Sequence, residues 1–285
     1  MKTIHPPIAA QKPEKSQYHG YEKTDPYAWL RSANWQEVFK NPQLLEPEIR
    51  TYLEAENAYQ QTYMADTKEL QHRIFSEMKA RLKEDDSTVP EKDGDFFYGS
   101  AYNSGEDYPY FFRIDANDNK TIYLEGQKEA QNKAFFQLGC IAPCPSHSKI
   151  LWSFDDKGSE FFTLRVRDID TGKDLADHIE NAGASACWDS NGNGFFYTKL
   201  DENHRPFEIY YHKLGTKSSE DVCLYKEKDA GFFMGVHASR LKDYVYVHLH
   251  DHETSEVLLL RADAPLSPPL CVAPRKQGVQ YSLTE

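Results

Sequence analysis

ASACWDSNGNGFFYTKLDENHRPFEIYYHKLGTKSSEDVCLY, residues 184–225, reads as four short strands in a row. Ser185-Ala-Cys-Trp188, Gly194-Phe-Phe-Tyr197, Glu208-Ile-Tyr-Tyr-His212 and Asp221-Val-Cys-Leu-Tyr225 are rich in aromatic and β-branched residues. Such side chains favour a pleated, half-buried surface. Between them stand Asp189-Ser-Asn-Gly-Asn-Gly194, Asp201-Glu-Asn-His-Arg-Pro206 and Gly215-Thr-Lys-Ser-Ser219, which are turn-formers. One four-stranded meander cannot bury both of its faces, so it requires neighbours of the same kind.

The neighbours are visible as a repeat. Second-strand cores begin near Phe96, Leu151, Phe195 and Tyr244, at intervals of 55, 44 and 49 residues. Third strands recur at Tyr110–Ile114, Phe162–Val166, Glu208–His212 and Val257–Leu260, and fourth strands at Thr121–Leu124, Asp174–Ile179, Asp221–Tyr225 and Pro269–Val272. Four strands per period of about 40 to 50 residues is the pattern of a β-propeller blade. A β-sandwich is the competing architecture, but it has no need of a fixed period. Blade one has a weak innermost strand around Val89. Blades two, three and four open near Phe135, Ser185 and Phe232. Gln280–Thr284 reads as the first strand of a fifth blade, so the chain is expected to be mainly β and to hold an incomplete propeller of about four blades. A closed four-bladed ring, with that last strand completing blade one, is the alternative.

Residues 1–86 follow a different pattern. Residues 1–46 read as an extended, proline-punctuated arm, anchored by Tyr27-Ala-Trp29-Leu30 through aromatic burial. A helix starts near Pro47, since proline suits the first helical position. Asp66-Thr-Lys-Glu69 has the form of a capping box. It would open a second helix in which Leu70, Ile74, Met78 and Leu82 recur on one face, ending near Asp85-Asp86. The domain boundary is thus expected between 86 and 87, and the two helices have no evident partner in the chain.

Composition narrows the function. The chain has 285 residues, 27% of them charged, and a net charge of −12. An acidic surface repels phosphate backbones, so nucleic acid is not an expected partner. No apolar run approaches the roughly 20 residues of a membrane span, and the start has no apolar signal core. Cys140, Cys144, Cys187, Cys223 and Cys271 are odd in number and mostly in apolar strands, which points to reduced core thiols and a cytoplasmic setting. No cofactor or metal is expected. His248-Leu-His250-Asp-His252 could align imidazoles on one strand face, but it falls where a strand turns. Trp188-Asp189 occurs once and carries no repeat signature.

The second-to-third-strand loops of equivalent blades emerge on one face. They are 103–109, 155–160, 201–206 and 250–255. They hold nine acids, Glu106, Asp107, Asp155, Asp156, Glu160, Asp201, Glu202, Asp251 and Glu253, against two bases, Lys157 and Arg205. That is more than half of the chain's excess negative charge on one candidate rim. Turns favour Asp for local reasons as well, and a rim of one sign would either attract basic peptides or dock against a basic surface of another domain.

Several stretches resemble the prolyl oligopeptidase family. His19-Gly20, Asp25-Pro-Tyr-Ala-Trp-Leu-Arg31, Tyr52-Leu-Glu-Ala-Glu-Asn57 and Glu77-Met-Lys-Ala-Arg81 carry the family resemblance. Leu200–Pro206, His212–Thr216, Gly231-Phe-Phe233 and Asp251–Glu256 are similar to its oligopeptidase B branch. The Asp25-Pro-Tyr segment is shared with prolyl oligopeptidase proper. The resemblance implies a seven-bladed propeller, about four blades of it here, covering an α/β-hydrolase domain. It also implies that the arm and helices of residues 1–86 pack on that domain, which would be missing from this chain. The implied activity is serine-type cleavage of short peptides, after Arg or Lys in the oligopeptidase B branch and after Pro in the other. The propeller would restrict access. A non-catalytic binding scaffold is the other function class. No G-x-S-x-G elbow is present: Gly231 and Gly235 have the spacing, with Phe233 between them. No catalytic residue is therefore assigned, and the chain alone is expected to hydrolyse no peptide bond.

Overall fold

The computed structural model describes residues 4–283, and the chain divides into two compact units between Asp86 and Ser87. In the first unit, strands β1 (Glu14–Tyr18) and β2 (Tyr21–Asp25) form an antiparallel hairpin. Helices α1 (Trp35–Lys40), α2 (Pro47–Tyr63) and α3 (Lys68–Lys79) follow. The expected arm is therefore partly structured. Its turn is made by His19 and Gly20, both with positive φ, which lets two polar segments pair. Trp29 does anchor the segment: its ring meets Tyr52 of α2 edge-on at 6.2 Å, and its indole N–H donates to the Ala10 carbonyl at 2.8 Å. The capping box is not formed. A 3-10 turn at Ala65–Thr67 precedes α3, and Thr67 instead bonds Met64 O and Gln71 Nε2. Leu70, Ile74, Phe75 and Met78 remain exposed along α3.

The second unit is the propeller portion. Blade one is the antiparallel sheet of β3 (Glu91–Asp93), β4 (Phe96–Ala101), β5 (Tyr110–Ile114) and β6 (Lys120–Glu125). Its first strand forms after Val89, which is itself 85% exposed and precedes Pro90. A short helix, α4 (Gly126–Glu129), leads to blade two: β7 (Gln137–Pro143), β8 (Lys149–Asp155), β9 (Phe162–Asp168) and the start of β10 (Asp174–Trp188). Blade three comprises the end of β10, β11 (Gly194–Leu200), β12 (Pro206–Lys213) and β13 (Val222–Lys226). Blade four is β14 (Phe233–Ala238), β15 (Tyr244–His250), β16 (Ser255–Arg261) and β17 (Leu270–Ala273). The four sets form no closed ring.

Two departures from the expected strand pattern have local causes. The fourth strand of blade two and the first of blade three are one 15-residue strand, β10. Its partner changes from β9 to β11 around Ala182, next to Asn181 at φ +55 and Gly183, so a bulge replaces a loop. The expected fifth-blade strand does not form at residues 280–283, and Thr284 lies outside the described residues. Instead Tyr281 fastens that segment to blade four, its hydroxyl accepting from Val257 N and donating to Ala273 O.

The core lies between blades. Phe195 and Tyr197 point into a cluster with Leu151, Leu164 and Val166 of blade two, while Phe196 between them joins Val236, Val247 and Leu260 of blade four. Successive side chains of a strand face opposite ways. An interior blade is covered on both faces, so its central strand is apolar throughout rather than alternating. Cys223 and Cys271 sit on fourth strands, the outer edges of blades, and are exposed rather than core thiols.

Candidate acidic rim and inner groove

The loops between second and third strands span residues 102–109, 156–161, 201–205 and 251–254. Those of blades two and three touch, the rings of Phe161 and His204 lying 4.5 Å apart.

Eight of the nine acids lie in these loops and the ninth, Asp155, ends β8; together they divide into two kinds. Asp155, Asp201 and Asp251 occupy the same place in successive blades and close the loops from within. Asp155 is only 2% exposed and accepts from the amides of Lys157, Gly158 and Glu160 at 2.8, 3.2 and 2.8 Å. Asp201 accepts from Asn203 N and Arg205 N at 2.8 and 3.0 Å and pairs with the Arg205 guanidinium. Asp251 accepts from Glu253 N and Thr254 N at 2.7 and 2.6 Å, and these amides hold its carboxyl below the usual carboxylate range. Each of these acids replaces a backbone turn with an aspartate-centred one. The other six, Glu106, Asp107, Asp156, Glu160, Glu202 and Glu253, are half-buried or exposed. Glu106 accepts from Asn103 Nδ2 at 2.9 Å. Of the two bases, Arg205 is committed to Asp201 and the Asp229 carbonyl, while Lys157 is exposed. The solvent-facing loops thus keep a strong negative excess.

Sequence reasoning missed the inner strands as a feature. A groove of about 560 Å³ runs along β7, β10 and β14, lined by Leu138, Cys140, Ala184, Ser185, Val236 and His237. The signal was present as Gly139 and Gly183. A Cβ on Gly139 would lie 2.3 Å from Ser153 Oγ of β8, and one on Gly183 2.3 Å from Thr198 Oγ1 of β11, so side chains of the paired second strands fill the space a larger residue would need.

The histidines of the 248–252 stretch separate. His248 and His250 share a face of β15, where His237 of β14 stacks on His248 at 5.2 Å, and His252 lies in the loop. Burial and its two histidine neighbours lower the His248 pKa. Among the described residues no group of three or more His, Cys, Asp or Glu is arranged to hold a metal. The aspartate of Trp188-Asp189 is a turn-closer as well: it accepts from Asn191 N and Asn193 N, and from the Tyr211 hydroxyl at 2.7 Å. Among the described residues no helix is long and apolar enough to cross a membrane.

Comparison with known proteins bears on these observations. Residues 6–285 match the family model described as prolyl oligopeptidase, N-terminal beta-propeller domain. Protease 2 of Moraxella lacunata is 27% identical over 97% of this chain and 40% of its own length. Dipeptidyl aminopeptidase BI of Pseudoxanthomonas mexicana is 29% identical over 97% of this chain and 39% of its own. Oligopeptidase B from Leishmania major superposes with a TM-score of 0.89 at 25% identity, over 98% of this chain and 41% of that one. The chain therefore spans about two-fifths of the length of the relatives it matches.

Proposed function

Because this chain belongs to the prolyl oligopeptidase family, we propose that it is the propeller portion of a serine oligopeptidase that cleaves short peptides after Arg or Lys. The observation that carries this reading is the superposition on oligopeptidase B across nearly the whole chain. The family's catalytic chemistry needs a nucleophile on a strained elbow with a base and an oxyanion hole beside it. The sequence has no such elbow, so the nucleophile belongs to an α/β-hydrolase domain outside residues 1–285. The exposed stripe of Leu70, Ile74 and Met78 on α3 is the surface of residues 1–86 that such a domain would cover. The propeller then admits short peptides and excludes folded proteins.

Within this reading the acidic rim draws cationic peptides toward the chamber. Clustered charge of one sign raises encounter rates, and salt screens the effect. Asp155, Asp201 and Asp251 shape the loops, and Asp156, Glu160, Glu202 and Glu253 supply the field.

Two measurements test the proposal. The purified 285-residue chain is incubated with a fluorogenic Arg-Arg substrate and a fluorophosphonate probe. No turnover and no labelled serine are expected, and turnover with a serine of this chain labelled overturns the assignment. In a protein that joins this chain to a hydrolase domain, Asp156→Asn, Glu160→Gln, Glu202→Gln and Glu253→Gln together should lower kcat/KM for Arg peptides. They should also flatten its dependence on ionic strength. An unchanged value and slope removes steering by the rim. Preference for a Pro substrate over Arg would transfer the chain to the prolyl oligopeptidase branch.

A further inference from the structure

His212, on β12, is buried, with its side chain 1% exposed between two buried carboxylates. Its Nδ1 lies 2.6 Å from Asp221 Oδ1 and its Nε2 3.1 Å from Asp177 Oδ1. A neutral imidazole has one N–H and one lone pair, so it can satisfy only one carboxylate. With both ring nitrogens facing carboxylate oxygens, the geometry is that of the imidazolium. The two partners come from different blades. Asp177 lies on the outer half of β10, which is the fourth strand of blade two, and Asp221 immediately precedes β13 of blade three.

The surrounding groups complete the network. The Tyr197 hydroxyl, from β11, donates to Asp221 Oδ2 at 2.7 Å, and burial drives its pKa upward, so it stays protonated. The Gly215 amide, after β12, donates to Asp177 Oδ1 at 2.5 Å. The Phe195 ring lies 5.0 Å from the imidazole and closes that side with apolar surface. Beside Asp177 an open cavity is lined by His178, Thr216, Lys217, Ser218 and Ser219. Solvent thus reaches the Asp177 end of the network. Desolvation opposes the charge on His212, but Asp221 and Asp177 outweigh it, so the His212 pKa is raised.

We propose that His212 is a proton-operated lock between blades two and three: its imidazolium ties Asp177 to Asp221, and loss of the proton releases the outer end of β10. After deprotonation one ring lone pair faces a carboxylate, and the two repel. The Asp177 contact is the longer of the two and the one beside solvent, so it is the one that opens. The proton leaves to solvent through that cavity, and blade two gains freedom to rotate against blade three about the inner part of β10. The sign follows from linkage. A His whose folded pKa is raised stabilises the fold fully below its unfolded pKa, and that stabilisation is lost as pH rises through the folded value.

The test is amide hydrogen exchange of the 285-residue chain from pH 6 to pH 9, expressed as protection relative to the intrinsic rate at each pH, with the His212 imidazole followed by nitrogen NMR. Protection over 174–179 and 213–221 should fall by up to about tenfold per pKa unit gained by His212. Protection over 244–250 should stay flat. His212→Gln should show lower protection in the first two segments at pH 6 and no pH slope. Should that variant fail to fold, Asp177→Asn should move the His212 titration to lower pH. A merely structural role would lower protection without altering the slope. Flat protection in the parent over 174–179, or an imidazole that titrates at or below the free histidine range, overturns the lock.

Discussion

Lys242 Nζ, in the turn between the first two strands of blade four, holds both carboxylate oxygens of Asp93 in blade one, at 2.6 and 2.7 Å. The pair joins blades that share no sheet. Beside it lies a cavity of about 140 Å³ whose walls include Asp93, Pro143, Trp188 and Ala238, one residue from each blade. The first-strand ends of all four blades therefore converge, and the ion pair spans the convergence. Both side chains are partly exposed, so Lys242→Met should cost about 0.5–1 kcal/mol, with the loss shrinking as salt rises. Exchanging the charges, Asp93→Lys with Lys242→Asp, should recover most of it. Denaturant titration reads both, and a double variant no better than the singles refutes the pairing.

A second tie should be stronger because one partner is buried. Arg275 bonds Glu227 at 2.6 Å and Glu256 at 2.7 Å, and its guanidinium lies 3.8 Å from the Phe232 ring centroid. Burial pushes the Glu227 pKa up, but Arg275, the Asp229 amide and the Tyr225 hydroxyl together bring it below the ordinary value. Removing the arginine strands a buried carboxylate, so Arg275→Met should cost about 3 kcal/mol. A depressed carboxylate pKa contributes stability above the unfolded value that is lost as pH falls through the folded one. The parent should therefore lose stability on acidification over a range that Glu227→Gln does not share, which paired melts at pH 3.5 to 6 would reveal.

The blade repeat was legible because it rests on alternation and turn chemistry, both local. Phe195, Phe196 and Tyr197 announce a strand buried on two sides, and Asp189, Asp201 and Gly215 announce its turns. The continuity of β10 was not legible, since a single left-handed Asn181 does the work of a loop. Nor were the ties: Lys242 and Asp93 are 149 residues apart, and nothing local marks either. Of the proposed rim the sequence shows only the acids. Composition gives nine of them, but it takes the fold to separate Asp155, which holds amides, from Glu160, which faces water.

Phe196 is fully buried between β12 and blade four. Phe196→Ala should cost about 3–5 kcal/mol, as transfer and cavity terms add. A loss below 1 kcal/mol, read from the shift in urea midpoint, would show that blades three and four pack loosely in solution.

Phe97 and Ile122 share the outer face of blade one at 42% and 48% exposure. On blade four the face away from blade three presents Phe233 and Leu270 at 45% and 62%, together with His237, His248 and His250. The opposite face of each of these blades is buried against its neighbour, so the exposed ones are surfaces of the same kind that no blade covers among the described residues, with only the Tyr281 segment lying over Ser255 and Val257 of blade four. The occupant we expect for the 285-residue chain alone is a second copy, blade four of one molecule against blade one of another. Sedimentation velocity from micromolar toward millimolar concentration, the range in which exposed apolar strands associate, should show a rising weight-average mass at pH 7.5. Phe233→Ser with Leu270→Ser should return the monomer. Burial and its histidine neighbours lower the His248 pKa, so this imidazole is neutral at pH 7.5 and gains charge only on acidification, which opposes burial of the face: association should weaken as pH falls. A single unchanging species at pH 7.5 across the whole range would contradict the prediction. Stronger association at pH 5.5 would assign the contact to some other surface.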